Sequence, residues 1–201
     1  ASCDDASPLN VIEIEAGETV TCTFTNTKRG HIIVDKVTLG GDTTFSFNAS
    51  GGTDPAYTDF NLSGADAPND QELKPGSYSV SETILSGWDL TDTTCVSSNQ
   101  DSESAAALDL DPGETITCTF ENTKRGHLIV QKTTDPAGDT TEFSINAAGT
   151  GSITNGGAGT ITDTNDKDYE VTPGTYSVTE SPQTGWDETG NTCVDVVVDP
   201  G

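Results

Sequence analysis

An eighteen-residue stretch, Gly17-Glu-Thr-Val-Thr-Cys-Thr-Phe-Thr-Asn-Thr-Lys-Arg-Gly-His-Ile-Ile-Val34, returns from Gly113 to Val130 with fifteen positions identical. Two of the three differences, Val20/Ile116 and Ile32/Leu128, are conservative. The offset of 96 residues makes the chain a tandem array. A unit of that length holds one small core. Val20, Cys22, Phe24 and Asn26 alternate with threonines, the pattern of a half-buried strand. The link Thr27-Lys28-Arg29-Gly30 leads straight into a second strand, 31–37, so one repeat ends where the next begins.

Thr, Ser, Gly, Asp and β-branched residues dominate, Met is absent, and no stretch carries a sustained helical period. The fold class is therefore all-β. In the complete repeat, strands are predicted near 31–37, 43–48, 57–62, 77–83, 89–96, 106–110 and 115–122. Turns are predicted at 39–42, 74–76 and 111–113. Short strands at this spacing indicate a β-sandwich. Residues 1–29 match the terminal strands of a repeat, 30–125 form one complete repeat, and 126–201 form a second that lacks its last strand. Two arrangements fit: the N-terminal strand segment completes a neighbouring copy head-to-tail, or the chain is a window on a longer covalent array. Either gives a rod, because a head-to-tail contact does not close on itself.

The net charge of −25, with eight Lys and Arg, opposes binding to nucleic acid or anionic membrane. No long apolar run is present for a membrane span, and no signal peptide is seen. The lack of an initiating Met fits a processed chain or part of a longer one. Of the five cysteines, Cys22 and Cys118 are repeat-equivalent, as are Cys3, Cys95 and Cys193. The obvious disulfides are Cys95–Cys118 and Cys3–Cys22, leaving Cys193 over. No C-x-x-C spacing occurs and two His cannot complete zinc sites, so no metal is assigned. Disulfides place the chain outside the cell.

Three polar residues fall on core-facing positions. Lys36 follows Ile32 and Val34, Glu82 follows Tyr78 and Val80, and Asn122 follows Cys118 and Phe120. Lys132 and Glu180 repeat the first two, and Asn26 repeats the third. Such groups are costly to bury unless they satisfy one another. Burial favours a neutral amine and a protonated carboxyl, the states needed to join Lys to Asn with loss of ammonia. The same residues serve equally as a buried hydrogen-bonded cluster.

The Lys in the first strand, the Gly-x-Tyr-x-x-x-Glu strand followed by Gly-aromatic, and the Asn in the last strand resemble prealbumin-like (transthyretin-like) domains of bacterial surface proteins. The B-type repeats of collagen adhesins and Gram-positive pilin domains are the nearest kind. The resemblance implies a Lys36–Asn122 isopeptide bond assisted by Glu82. It also implies that Lys132, with Glu180, awaits an asparagine such as Asn26 of a neighbour. Trp88 and Trp186 stand where the family usually has Tyr, and the cysteine pair is an addition that locks the last strand by other means.

Weaker candidates are the glycosylation sequons at Asn48 and Asn61 and calcium binding by acidic loops 99–111 and 163–168. Gly156-Gly157-Ala-Gly159 lacks the residues of a phosphate loop. His31 and His127 read as structural, Trp88 and Trp186 as core caps, and Lys28-Arg29 and Lys124-Arg125 as junction residues facing acids of the adjoining domain. The expected function is that of a structural subunit of an extracellular filament or stalk, self-associating head-to-tail, with no cofactor and no enzymatic role beyond forming its own cross-link. The alternative is an adhesin using loops 49–72 and 147–169, with Tyr57, Phe60 and Tyr169 as the aromatics available to a ligand.

Overall fold

The computed structural model describes residues 2–4 and 10–201. Within the segment 1–29, residues 1 and 5–9 lie outside the described residues. Near the N-terminus, β1 (Ser2–Cys3) pairs antiparallel with β2 (Cys22–Thr23), and Cys3 is disulfide-bonded to Cys22.

The first domain contains β3 (Gly30–Leu39), β4 (Phe45–Gly51), β5 (Phe60–Leu62), β6 (Asn69–Leu73), β7 (Gly76–Glu82), β8 (Trp88–Ser97), β9 (Leu108–Leu110) and β10 (Thr115–Lys124). They form two four-stranded sheets, ordered β6-β3-β10-β8 and β5-β4-β7-β9. The inward residues of each sheet are the apolar members of the alternation: Ile32 and Val34, Phe45 and Phe47, Tyr78 and Val80, and Ile116, Cys118 and Phe120. Phe47 packs edge-on against Phe120, and Phe45 edge-on against Trp88, across the layer. This is a β-sandwich. Its first and last strands, β3 and β10, are parallel neighbours, with Phe120 opposite Lys36 and Asn122 opposite Thr38. That pairing brings the repeat's two ends together.

The second domain contains β11 (Gly126–Val130), β12 (Phe143–Gly149), β13 (Ala158–Ile161), β14 (Lys167–Val171), β15 (Gly174–Glu180) and β16 (Val196–Val198). One sheet is complete, β13-β12-β15-β16, matching β5-β4-β7-β9. The other is reduced to β11 and β14. Among the described residues none forms a counterpart of β8 or β10 in it. Residues 186–193, equivalent to the start of β8, form no strand, because β8 pairs only with β10. β11 stops at Val130 for the same reason: β6 pairs β3 only as far as Val34, and beyond it β3 is held by β10 alone. Arg125 joins the domains, bonding Asp89 on one side and Glu170 on the other.

Several expectations are corrected. Among the described residues, the alternating stretch 20–26 pairs only at Cys22 and Thr23, and Phe24 is 71 % exposed and not inward-facing. β6 went unpredicted, since Asn69-Asp-Gln-Glu-Leu73 is polar and pairs on one side only. The strands predicted at 57–62 and 106–110 shorten to Phe60–Leu62 and Leu108–Leu110. Tyr57 and Tyr169 are buried, and Phe60 stacks on Phe47, so these aromatics belong to the cores and not to an exposed loop surface.

Candidate functional site

Lys36, Glu82 and Asn122 meet at one end of the first sandwich. Each is the next inward position after two apolar ones on its strand, so the pleat that buries Val34, Val80 and Phe120 also buries the polar group beyond. A bulge at Glu121/Asn122, on the side paired with β8, locally re-aims β10 at this point. The Lys36 and Glu82 side chains are both 0 % exposed. Lys36 Nζ donates to Asn122 Oδ1 at 2.7 Å and lies 3.5 Å from Glu82 Oε2. Asn122 Nδ2 donates to Glu82 Oε1 at 2.6 Å. The amine also donates to the carbonyls of Val37 and Phe120, and lies 4.4 Å from the centroid of the Phe45 ring.

Burial sets the electrostatics. Desolvation holds the Lys36 amine below the ordinary lysine value, against the attraction of Glu82. The same cause pushes Glu82 above the ordinary carboxylate range, against Lys36 and the Asn122 hydrogen bond. Both shifts favour the neutral forms. The two ends of a carboxamide are assigned by their partners, and turning Asn122 over places its oxygen against Glu82, where a protonated carboxyl donates to it. A neutral Lys36 Nζ then faces a polarised Cγ. From this arrangement an attack would form the Nζ–Cγ bond, break Cγ–Nδ2 and release ammonia, with protons relayed through Glu82; the structure itself shows the hydrogen-bonded cluster.

The second domain holds two of the three groups. Lys132 Nζ lies 2.9 Å from Glu180 Oε2 and sits over the Phe143 ring, but the two side chains remain 18 % and 15 % exposed. Among the described residues no asparagine side chain is bonded to this pair. Asn26 is exposed on the N-terminal segment and is not brought to Lys132 within the chain. A cleft of about 530 Å³ opens there, lined by Val130, Lys132, Phe143, Val178, Trp186 and Cys193 among others.

The cysteines fall into two bonded pairs. Cys95 and Cys118 are joined across β8 and β10, Cys3 and Cys22 across β1 and β2, and Cys193 is free. Asn48 and Asn61 are exposed on β4 and β5, with Asn48 Nδ2 donating to Thr83. In loop 99–111, Asp101 and Asp111 approach Glu114. Glu114 is buried, and both its oxygens are already used, by Ser97 Oγ and by the Asp111 amide at 2.6 Å. Glu114 thus secures the Asp111-Pro-Gly113 turn, where Gly113 takes a φ of +79°. Sequence reasoning passed over it, although the repeated Glu18 was a signal. In loop 163–168, Asp163 accepts from Thr134 and from the Gly138 amide, and Asp168 pairs with His127. His31 pairs likewise with Asp70. No helix among the described residues is long and apolar enough to cross a membrane.

Two family models, each described as a SpaA-type prealbumin-like fold domain, match residues 32–124 and 125–200. No curated protein matches the chain. Among solved structures, the chain is similar to a C-terminal fragment of the pilus adhesin SpaC from Lactobacillus rhamnosus GG. That alignment has 16 % identity over 82 % of this chain and 79 % of the other, with a TM-score of 0.31. It is also similar to the major pilin protein T-13 from Streptococcus pyogenes, at 14 % identity over 87 % of this chain and 93 % of the other, with a TM-score of 0.26. Superpositions this loose carry no argument about function.

Proposed function

The chain belongs to the prealbumin-like fold domain family, and from that premise we propose that it is a structural, load-bearing subunit of an extracellular filament or surface stalk. The observation that carries this reading is the Lys36–Glu82–Asn122 cluster, which ties the first strand of the sandwich to the last. Tension along a rod of such domains enters at Gly30 and leaves at Lys124. Because β3 and β10 are parallel neighbours, it loads their hydrogen bonds in shear. An amide between Lys36 and Asn122 passes the load directly from one strand to the other and leaves the rest of the sandwich out of the path. Cys95–Cys118 holds the same last strand from its other side. The acidic surface keeps such rods apart in solution. The catalytic role proposed is that of Glu82 acting once on its own domain, with Glu180 its equivalent in the second.

The test is mass spectrometry of the chain after reduction and denaturation. A Lys36–Asn122 amide makes the mass lower than the sequence mass by one ammonia, and Glu82→Gln restores it. An unshifted mass in the wild type overturns the amide and leaves a hydrogen-bonded cluster with disulfides. The adhesin reading finds no support in loops 49–72 and 147–169, whose aromatics pack inward.

A further inference from the structure

Lys36 and Asn122 do not face each other squarely. Across the parallel pair of β3 and β10, Lys36 lies opposite Phe120, and Asn122 stands opposite Thr38. The amine is held at the level of Phe120, donating to its carbonyl at 3.2 Å. The Asn122 side chain comes back from the next inward position to meet it at 2.7 Å. How β10 runs past Phe120 therefore decides whether Asn122 Cγ reaches Lys36 Nζ. That course is set from the other side of the strand, by β8.

Cys95 lies opposite Cys118 and Trp88 opposite Lys124, so residues 88–95 lie against residues 118–124, one more on β8 than on β10. The disulfide fixes one end of this stretch. The register passes from Asp92 opposite Glu121 to Leu90 opposite Asn122, which makes Thr91 the residue in excess. Its hydroxyl reaches both chain neighbours of Asn122. Thr91 Oγ1 donates to the Glu121 carbonyl at 3.2 Å, has Glu121 Oε1 at 3.2 Å, and lies 3.1 Å from Thr123 Oγ1. A hydroxyl has one proton to give, so donation to Glu121 leaves it able to accept from Thr123. Successive side chains of a strand point to opposite faces, so Glu121 and Thr123 project away from the cluster while Asn122 projects into it. Thr91 thus straps β10 from behind, at the residue whose carboxamide must react.

We infer that Thr91 is a positioning residue for the Lys36–Asn122 amide, its hydroxyl holding the bulge so that Asn122 Cγ stays within reach of Lys36 Nζ. This deepens the cross-link reading and rests on it. The hydroxyl bonds none of the three reacting side chains and moves no proton. The bond made is Nζ–Cγ, the bond broken is Cγ–Nδ2, and ammonia leaves; Thr91 governs only the approach. Reaction between held groups depends steeply on distance and alignment. Thr91 is exposed, whereas Lys36 and Asn122 are buried, so changing it leaves the core packing alone. Thr91→Val keeps the branched shape and removes the hydroxyl, and Thr91→Ser keeps the hydroxyl.

The experiment follows the full chain from its synthesis in an oxidising cell-free system. Samples are quenched at intervals in denaturant with reductant, and the intact mass gives the fraction that has lost one ammonia. Thr91→Val is expected to slow that loss about tenfold, and Thr91→Ser to react as the wild type does. Stability is read separately in an Asn122→Ala background, where no amide forms and Thr91→Val is expected to leave the urea midpoint of the first domain unmoved. Equal rates for the wild type and Thr91→Val overturn the role. So does a slow Thr91→Ser, or a midpoint that falls with Thr91→Val, since the hydroxyl would then support the fold and not the approach. A wild type whose mass never shifts reads differently: it overturns the amide itself, and the positioning role with it.

Discussion

Arg125 grips Asp89 through two parallel hydrogen bonds, Nε to Oδ2 at 2.9 Å and Nη2 to Oδ1 at 2.6 Å. Its third nitrogen crosses to the next domain, reaching Thr154 Oγ1 at 2.6 Å and Glu170 Oε2 at 3.4 Å. The Asp89 hydrogen bond, more than any other contact, raises the guanidinium above its ordinary value. A planar fork fixes direction as well as distance, so this residue sets the angle of the joint. The ions are about a quarter exposed, which limits their worth to stability. Asp89→Ala is expected to cost about 1 kcal/mol or less, while widening the range of interdomain angles seen by small-angle scattering and residual dipolar couplings. An unchanged angular spread sinks the proposed role.

Tyr57 and Tyr169 each bury a hydroxyl that meets no hydrogen-bond partner among the described residues. Desolvation raises both above the ordinary tyrosine value. An unpaired buried hydroxyl is a net cost, so Tyr57→Phe and Tyr169→Phe should each stabilise their domain, by about 1 kcal/mol. Denaturant midpoints of the two variants measure this directly. A loss of stability in either would mean that its hydroxyl has a partner.

Those tyrosines also mark where the sequence stopped being informative. The sheets were legible because Ile32-x-Val34-x-Lys36 and Ile116-x-Cys118-x-Phe120-x-Asn122 alternate, and the same alternation pointed to the polar cluster before any distance was known. Loops 49–72 and 147–169 have no such period, so the inward direction of Tyr57 and Tyr169 depends on which core lies beneath them. β6 was illegible for a related reason: its hydrogen bonds to β3, and not its polar side chains, make it a strand. Segment 20–26 shows the converse. Its pattern is that of a strand, yet a strand needs neighbours, and among the described residues only Cys22 and Thr23 are paired. Glu114 leaves no trace in a strand's alternation, and only its repeat as Glu18 marks it.

Cys95–Cys118 closes a loop with a sequence separation of 23 residues and anchors β10 to β8. Chain entropy alone assigns such a loop about 3 kcal/mol. That figure applies in full only when the last strand is otherwise free. With Lys36 bonded to Asn122, the larger loop is already closed in the unfolded chain, and the second closure is worth less. Replacing both cysteines by alanine should therefore cost the first domain more in a Glu82→Gln background than in the wild type. Urea unfolding of the four chains gives the coupling. Equal costs in the two backgrounds would argue that no amide constrains the unfolded state.

The pH dependence of stability separates the reacted cluster from the unreacted one. In an Asn122→Ala chain no amide can form, and Lys36 and Glu82 both titrate. Desolvation lowers Lys36 from its ordinary 10.5. Between that lowered value and 10.5, the native state binds fewer protons than the unfolded chain, so unfolding takes up a proton and stability rises with pH. Glu82 is raised from its ordinary 4.5. From 4.5 up to the raised value the native state binds more protons, and stability falls as pH rises. The variant should thus show a falling limb on the acid side and a rising limb approaching pH 10.5. In the wild type the lysine is consumed by the amide while Glu82 stays titratable, so only the acid limb remains. Urea midpoints of the first domain across this range, wild type against variant, decide the matter. A rising alkaline limb of equal size in both chains would mean that Lys36 is still a free amine in the wild type.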